Sequence, residues 1–473
     1  MTYNPAAVVL PDIVAGRLFA LGYAVTSATA ALHALLSKAD PRSAIGWIGV
    51  CCLFPYGGPL LYWLFGINRV RRRVPGGPAV SAGPGAQVLT TADSTPLAAQ
   101  ARLGNALTRR PLEGGNGVEP LHNGEVAFPR MLQAIAGARS SIWLATYIFQ
   151  TDAVGREFVS ALGAAVRRGV SVRVLVDGIG EWYDWPHVVP LLRRAGVKAA
   201  RFLPPRLIPP NLSLNCRNHR KILVIDGEES FIGGMNLGGR EVGGATGQRM
   251  TDIHFCLHGP IVAQLADTFA ADWEFATGER LATQAAIHAP GSSVCRVITG
   301  GPDEDVDKLL LVLVGAISTA QRQVQIMTPY FIPPPELVVA LEAAALRGVT
   351  VSLVLPRRSN LHYIDWATLH WLPALLARGV QVHLQEPPFS HAKLFVVDRE
   401  YAHIGSANVD TRSLRLNFEI AVEVFDATLG AELARFIADL QSRAPALTPA
   451  SVSQATLLAR IRNSLCWLIS PYL

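Results

Sequence analysis

His219, Lys221 and Asp226 recur as His391, Lys393 and Asp398, each shifted by the same 172 positions (391 − 219) in a chain of 473 residues. The same ungapped register carries Gly233 onto Gly405, Gly234 onto Ser406 and Asn236 onto Asn408. The chain therefore holds one half of a site twice. Only five lysines occur, Lys38, Lys198, Lys221, Lys308 and Lys393, and the two copies use two of them. An imidazole can attack an electrophile or move a proton near neutral pH, while ammonium groups and amides stabilise an anion. Two copies of that set describe a phosphate pocket.

The residues around each copy say how it is carried. Ile222 to Ile225 and Leu394 to Val397 are short apolar runs ending at Asp226-Gly227 and Asp398-Arg399, the pattern of a buried strand closing in a turn. Positions two apart on a strand share a face, so His219 points with Lys221 and His391 with Lys393. Asp226 and Asp398 lie an odd seven positions from their histidines (226 − 219) and face away if the strand is unbroken. They are expected to fix the turn within a buried charge pair. Gly233-Gly234 and Gly405-Ser406 would let backbone N–H groups approach an anion, and Asn236 and Asn408 add amide donors.

This paired motif resembles that of the phospholipase D superfamily, whose two halves each give one His, Lys and Asn to a shared site. Asn218-His219-Arg220-Lys221, Asp226-Gly227 and Gly233-Gly234-Met235-Asn236 resemble the first motif of the bacterial cardiolipin synthase family. His391-Ala392-Lys393, the run from Gly405 to Ser413 and Asn417-Phe418-Glu419 resemble the second. The likeness runs from the N-terminal apolar segments to Ser470-Pro471-Tyr472-Leu473, with one departure: Met250-Thr251-Asp252 stands where the family shows Trp-Arg-Asp. The resemblance implies a phosphatidyl transfer through a phosphohistidine, with His219 as nucleophile and His391 as acid and base. The near symmetry of the halves does not by itself tell these two roles apart. It also places Asp226 and Asp398 in the catalytic motif. Lys221, Lys393, Asn236 and Asn408, with Gly233, Gly234 and Ser406, would hold the phosphate, and Asp252 and Glu419 would orient the imidazoles. No metal and no cofactor are expected.

The duplication extends to the elements that must position these groups. Tyr147-Ile148-Phe149 and Arg168-Gly169-Val170 have counterparts in Tyr330-Phe331-Ile332 and Arg347-Gly348-Val349. Each half reads as strand, amphipathic helix (Gly155 to Arg168, Pro335 to Arg347) and strand. That alternation implies parallel sheets covered by helices. The expected fold is α/β: two tandem phospholipase D-like lobes with a shared active site, preceded by an N-terminal transmembrane hairpin. The expected partition is a membrane anchor over 1–73, a flexible Gly/Pro/Ala-rich linker over 74–117, lobes over 118–290 and 291–450, and an amphipathic segment over 451–473. The joint between lobes is expected near Ala289 to Val294.

Half of the residues are hydrophobic, and a mean hydropathy of +0.28 is high for a purely soluble chain. The excess sits in Ile13 to Leu36 and Ala44 to Ile67, each long enough to cross a bilayer, the second broken by Phe54-Pro55-Tyr56-Gly57-Gly58-Pro59. A cleaved signal peptide is the competing reading of the first segment, disfavoured because a second apolar segment follows at once. Arg69, Arg71, Arg72 and Arg73 follow the second segment, whereas no Lys or Arg precedes Ile13. Both ends of the hairpin are thus expected on the cytoplasmic side of a bacterial inner membrane, together with the lobes. Cys51, Cys52, Cys216, Cys256, Cys295 and Cys466 show no metal-ligand spacing and no disulfide framework.

A net charge of +6 (42 − 36) and a pI near 9.1 suit an anionic partner without choosing between lipid and nucleic acid. The apolar segments favour anionic phospholipid, phosphatidylglycerol by resemblance, and no nucleic acid is expected. A membrane-bound phospholipase D, a nuclease or other phosphodiesterase, and a non-catalytic scaffold are the alternatives. Intact His219 and His391 speak against the scaffold.

Overall fold

The computed structural model describes residues 6–38, 40–67, 96–205, 216–243, 250–283, 291–302, 305–453 and 455–468, and in it the duplicated sequence becomes a duplicated topology. The first half carries β1 (Glu113–His122), β2 (Ser141–Thr146), β3 (Ser171–Asp177), β4 (Lys198–Phe202), β5 (Ile222–Ile225), β6 (Glu229–Gly233), β7 (Met250–Thr251) and β8 (Ile253–His258). The second carries β9 (Ser293–Gly300), β10 (Gln323–Met327), β11 (Phe331–Ile332), β12 (Thr350–Pro356), β13 (Gln381–Gln385), β14 (Phe389–Ser390), β15 (Leu394–Val397), β16 (Tyr401–Gly405), β17 (Val409–Asp410) and β18 (Glu419–Phe425). Outward from the centre, the strands run β1-β8-β6-β5-β2-β3-β4 on one side and β9-β18-β16-β15-β10-β12-β13 on the other. Antiparallel pairing of β1 with β9 closes the two series into one 14-stranded sheet. The two lobes are one compact unit.

The expectation of parallel sheets holds only for the outer three strands of each half. The inner strands are antiparallel, because β5 to β6 and β15 to β16 are joined by short turns that cannot make a parallel crossover. Those turns explain Asp226 and Asp398, which take left-handed φ values of 53° and 52° just after the strand. Asp226 accepts the backbone N–H groups of Arg139, Ser140 and Ser141, each at 2.8 Å. Asp398 accepts those of Gln321, Arg322 and Gln323 at 2.7–2.8 Å. The expected charge pair is thus replaced by three backbone donors, which lash the end of the hairpin to the start of β2 or β10. Both carboxylates sit at the opposite end of the strand from the histidines, outside the candidate site.

The Arg-Gly-Val turns repeat a second device. Arg168 donates to the carbonyls of Ile135 and Ala138, and Arg347 to those of Ile317 and Ala320. Each guanidinium adds donors to the C-terminal end of the preceding helix, Gly124–Gly137 or Lys308–Thr319. Of the segment read as a linker, 74–95 lie outside the described residues and the remainder is structured. Pro96–Thr108 is a helix whose Gln100 donates to Glu423 at 3.0 Å, and Glu423 in turn binds the fully buried Arg296 at 2.5 Å. The body thus begins by Pro96 and not at 118. Of the expected joint, 289–290 lie outside the described residues, as do Arg69 to Arg73 and the final Ser470 to Leu473.

The N-terminal residues form a separate unit. Ala6–Ser37 is one helix, and Val14–Ser37 is long and apolar enough to cross a membrane. The second apolar segment breaks at the bend Phe54–Tyr56, between the helix Pro41–Leu53 and the short turn Gly57–Leu61. Ser27 donates to the backbone carbonyl of Cys51 at 2.8 Å and His33 Nδ1 meets the Tyr62 hydroxyl at 2.7 Å, so polar side chains of the first segment find partners in the second.

Candidate active site

His219 and Lys221 lie just before β5, and His391 and Lys393 just before β15. Each histidine is then stitched to the opposite half. His219 N–H donates to Phe418 O at 2.9 Å, immediately before Glu419 at the start of β18. His391 N–H donates to Thr251 O at 2.7 Å, immediately before Asp252, where β14 pairs with β7. The side chains follow the backbone. His219 Nδ1 lies 3.0 Å from Glu419 Oε1, and His391 Nδ1 lies 3.1 Å from Asp252 Oδ2. The pairing therefore crosses: each imidazole is held by the acid of the other half. Counting along the chain within a half does not give these partners.

Both lysines turn back on their own histidine. Lys221 Nζ donates to His219 O at 2.8 Å, and Lys393 Nζ to His391 O at 2.5 Å. Each ammonium keeps further protons for an anion. Tyr147 sets its ring 5.1 Å from that of His219 and 5.6 Å from Lys221 Nζ, and Tyr330 stands 6.3 Å from His391. The repeated tyrosines thus wall the histidines.

Burial governs the electrostatics. It pulls His219 and His391 down to about 4, against the pull of Glu419 and Asp252, and it pulls Lys221 down to about 7. Lys393 is lowered for the same reason. Burial pushes Glu419 up, but His219, Lys221 and the Ser406 hydroxyl outweigh it, and the carboxyl stays below its usual range. Each lysine acts on both histidines, which marks the four groups as one neighbourhood.

Three expected phosphate ligands behave differently. Ser406 is fully buried, its N–H spent on Ile420 O at 2.9 Å and its hydroxyl donated to Glu419. It supports an acid and cannot line the pocket. Gly233 and Gly234 answer to space: a Cβ on Gly233 would stand 2.5 Å from His254 Nδ1, and one on Gly234 2.5 Å from Asp252 Oδ2. Of the amides, Asn236 accepts Ile148 N–H at 3.2 Å through Oδ1, which turns its NH₂ away from that backbone. Asn408 is buried, and its Oδ1 has no partner among the described residues.

Two participants had no clear signal in the pattern. Arg220 is fully buried, with Nη1 at 2.6 Å from Asp272, Nε donating to Glu419 O and Nη2 to Gly300 O. It ties the His219 strand to the segment that supplies Glu419. Glu241 accepts Asn236 N–H at 3.2 Å through Oε1, and its buried Oε2 has no partner among the described residues. Burial, with Asp252 beside it, lifts this carboxyl to about 8. Away from the site, cross-strand pairing brings ligand atoms of Glu229, Cys256 and His258 within 4.8 Å, a grouping invisible in chain spacing. Arg130 already ion-pairs with Glu229 there.

Two repeats that share one pocket of paired histidines and lysines define a two-domain phospholipase D-like protein. The family description "Cardiolipin synthase, PLD-like domain" matches residues 131–273 and 313–440, and "Phospholipase_D-nuclease N-terminal" matches 27–66. The chain is 32% identical to a cardiolipin synthase of Geobacillus kaustophilus over 97% of its own length and 95% of the relative's. It is 35% identical to the major cardiolipin synthase of Bacillus subtilis over 76% of each. It belongs to the cardiolipin synthase family. In fold it is similar to a phosphatidylserine synthase structure from Haemophilus influenzae, with a TM-score of 0.59 at 14% identity, covering 79% of this chain and all of that one.

Proposed function

We propose that the chain transfers the phosphatidyl group of one phosphatidylglycerol to another, releasing glycerol and forming cardiolipin. The observation that carries this reading is the crossed pairing of His219 with Glu419 and His391 with Asp252, which makes the two halves a single site. With Nδ1–H of His219 donated to Glu419, the Nε2 lone pair attacks phosphorus. The bond from phosphorus to the glycerol headgroup breaks, and His391 gives the leaving oxygen its proton. His391 then takes the proton from a headgroup hydroxyl of the second lipid, whose oxygen attacks the phosphohistidine and frees His219. Lys221, Lys393 and the amides Asn236 and Asn408 spread the charge on the non-bridging oxygens. Asp226 and Asp398 hold their hairpins and touch no reacting atom.

Anchoring is proposed as a two-span hairpin within Ile13 to Ile67 in the bacterial inner membrane, both ends and the lobes cytoplasmic. The long apolar helix Val14–Ser37 supports the first span, and the cations after Ile67 in the sequence support the orientation. Digestion of the lobes by protease added outside sealed spheroplasts would reverse it.

The test of activity is mass spectrometry of products after the detergent-solubilised chain meets phosphatidylglycerol, with and without EDTA. Cardiolipin and glycerol are expected in both samples, because lysine and amide groups supply the charge stabilisation. Phosphatidic acid alone would make the protein a hydrolase, and cleavage of an oligonucleotide in a parallel sample would make it a nuclease.

A further inference from the structure

Two apolar features of the body are left uncovered at the margin of the candidate site. The C-terminal helix Leu457–Leu468 packs one side on the helix His362–Ala377: Trp467 stacks on His370 at 4.2 Å and Arg462 lies over Trp366 at 4.5 Å. Its other side is bare. Leu457, Leu458, Ile461, Leu465 and Leu468 are 48–80% exposed, and helical spacing puts all five within an arc of about 100°. Arg460 and Arg462 flank that stripe, one on either side. The second feature is the turn after β3, where Trp182, Tyr183 and Trp185 are 61–79% exposed. This turn borders the site, since the Tyr183 ring lies 6.0 Å from Tyr147, which faces His219. Tyr183 also acts electrostatically on Tyr363, in the first turn of the very helix that carries the C-terminal one. One helix therefore links the aromatic turn to the leucine stripe.

We propose that this margin docks on the surface of an anionic phospholipid bilayer. Trp182, Tyr183 and Trp185 enter the headgroup layer beside the site, and the helix Leu457–Leu468 lies in the interfacial plane. A stripe of five large apolar side chains is more than a solvated helix face normally leaves open. Tryptophan and tyrosine suit the boundary between headgroups and acyl chains, and cations flanking an apolar stripe suit anionic lipid. A bilayer is also the partner within reach of a chain carrying +6 and a helix long enough to span one. The inference rests on the phospholipid reading above and adds which face meets the lipid. Docking there would present the diester at the level of the pocket, without extraction of a whole lipid into water.

The test uses the full chain with Cys52→Ser and Cys466→Ser, which remove the two cysteines that are not buried. A nitrobenzoxadiazole dye is attached at Trp185→Cys or at Ile461→Cys, and the chain is reconstituted in vesicles of phosphatidylglycerol and phosphatidylcholine, with or without doxyl-labelled lipid. Doxyl lipid is expected to quench both dyes strongly. Absence of quenching at both positions overturns docking, as does cross-linking between copies at Ile461→Cys in place of quenching, which would assign the face to a second chain. In a kinetic arm, Leu458→Glu with Leu465→Glu is expected to slow turnover of long-chain phosphatidylglycerol vesicles by about tenfold, from lost apolar burial. Turnover of monomeric short-chain phosphatidylglycerol is expected to be unchanged, and equal slowing of both substrates counts against docking. If the unsubstituted chain turns over neither lipid while both dyes are quenched, the proposed reaction fails and the docking surface stands.

Discussion

In the first half His219 leans on a glutamate, and in the second His391 leans on an aspartate. Glu419 is the first residue of β18, and it is steadied by the Ser406 hydroxyl and, at 3.4 Å, by Asn417 Nδ2. Asp252 immediately precedes β8 and accepts the N–H of Ile253 at 2.7 Å. Where the second half has Ser406 the first has Gly234, and a Cβ there would collide with Asp252. The longer acid is thus buttressed by a hydroxyl, while the shorter one needs empty space. A second contrast lies between the paired His and Lys residues: Arg220, buried on Asp272, against the apolar Ala392. Around the acids the repeats share the last contacts, acid to Nδ1 and lysine to the histidine carbonyl. The supports beneath those contacts differ.

The strongest way to break the comparison is to remove each imidazole in turn. His219→Ala is expected to abolish both turnover and any covalent phosphatidyl adduct, a loss of about 10³-fold or more, because nothing remains to attack phosphorus. His391→Ala should also stop turnover of phosphatidylglycerol. With a leaving group that needs no proton, however, it should accumulate an acid-labile adduct on His219. Rapid quench with labelled lipid and peptide mapping locates the adduct. Its appearance on His391 in the reciprocal variant would exchange the two roles, and full cardiolipin synthesis by either variant would remove the phosphohistidine.

Next in size is the contrast between Arg220 and Ala392. Arg220→Met removes the cation paired with the fully buried Asp272 and the donor to two carbonyls, so a loss of about 3–5 kcal/mol of stability is expected. Adding Asp272→Leu should recover much of it, since an apolar pair carries no buried charge. At the equivalent place Ala392→Gly is expected to cost about 1 kcal/mol. Thermal unfolding of the solubilised chain checks all three, and equal melting temperatures for Arg220→Met and Ala392→Gly would erase the asymmetry.

The residues proposed to touch the reaction were open to reading because they repeat at a fixed offset. Their supports were not, and the acids show why: Asp252 and Glu419 differ by 167 positions (419 − 252), five short of the offset that carries the histidines. The strands β8 and β18 they introduce are equivalent in the sheet, but the connections before them differ in length. The crossed pairing also depends on contacts between halves that no local pattern encodes. Arg220 read only as a letter between His219 and Lys221, since its parity on the strand gives no hint of Asp272 beneath. The role of Asp226 was misjudged in part, because a lone aspartate in a turn signals its own geometry but not that its donors come from another strand. The segment 96–108 looked like linker by composition. Gln100 docks it into the buried network of Arg296 and Glu423 through a contact with Glu423, 323 residues away in sequence (423 − 100).

The smallest expected effect is a pH dependence that sharpens the electrostatic side of the comparison. With His219 and His391 pulled down to about 4, both imidazoles are uncharged in the free chain at neutral pH, where Lys221 at about 7 and Glu241 at about 8 are the groups that titrate. A depressed lysine is cationic only below its own value, so the charge that holds the diester is lost as pH rises through about 7. Since kcat/KM reports the free enzyme and His391 must carry the proton it gives, kcat/KM is expected to fall by up to about tenfold per unit above about 4, and more steeply above about 7, where Lys221 also loses its charge. On the acid side, His219 keeps its lone pair until about 4. An anionic diester in the pocket favours the charged forms of Lys221 and His391, so the alkaline limb of kcat should lie at higher pH than that of kcat/KM. Lys221→Arg places a cation that does not lose its proton. That variant should remove the steeper fall of kcat/KM above about 7, at some cost in fit. A steeper fall that stays where it was would move the titration from Lys221 to Lys393, whose ammonium is also depressed by burial, and the second half, not the first, would then set the pH response.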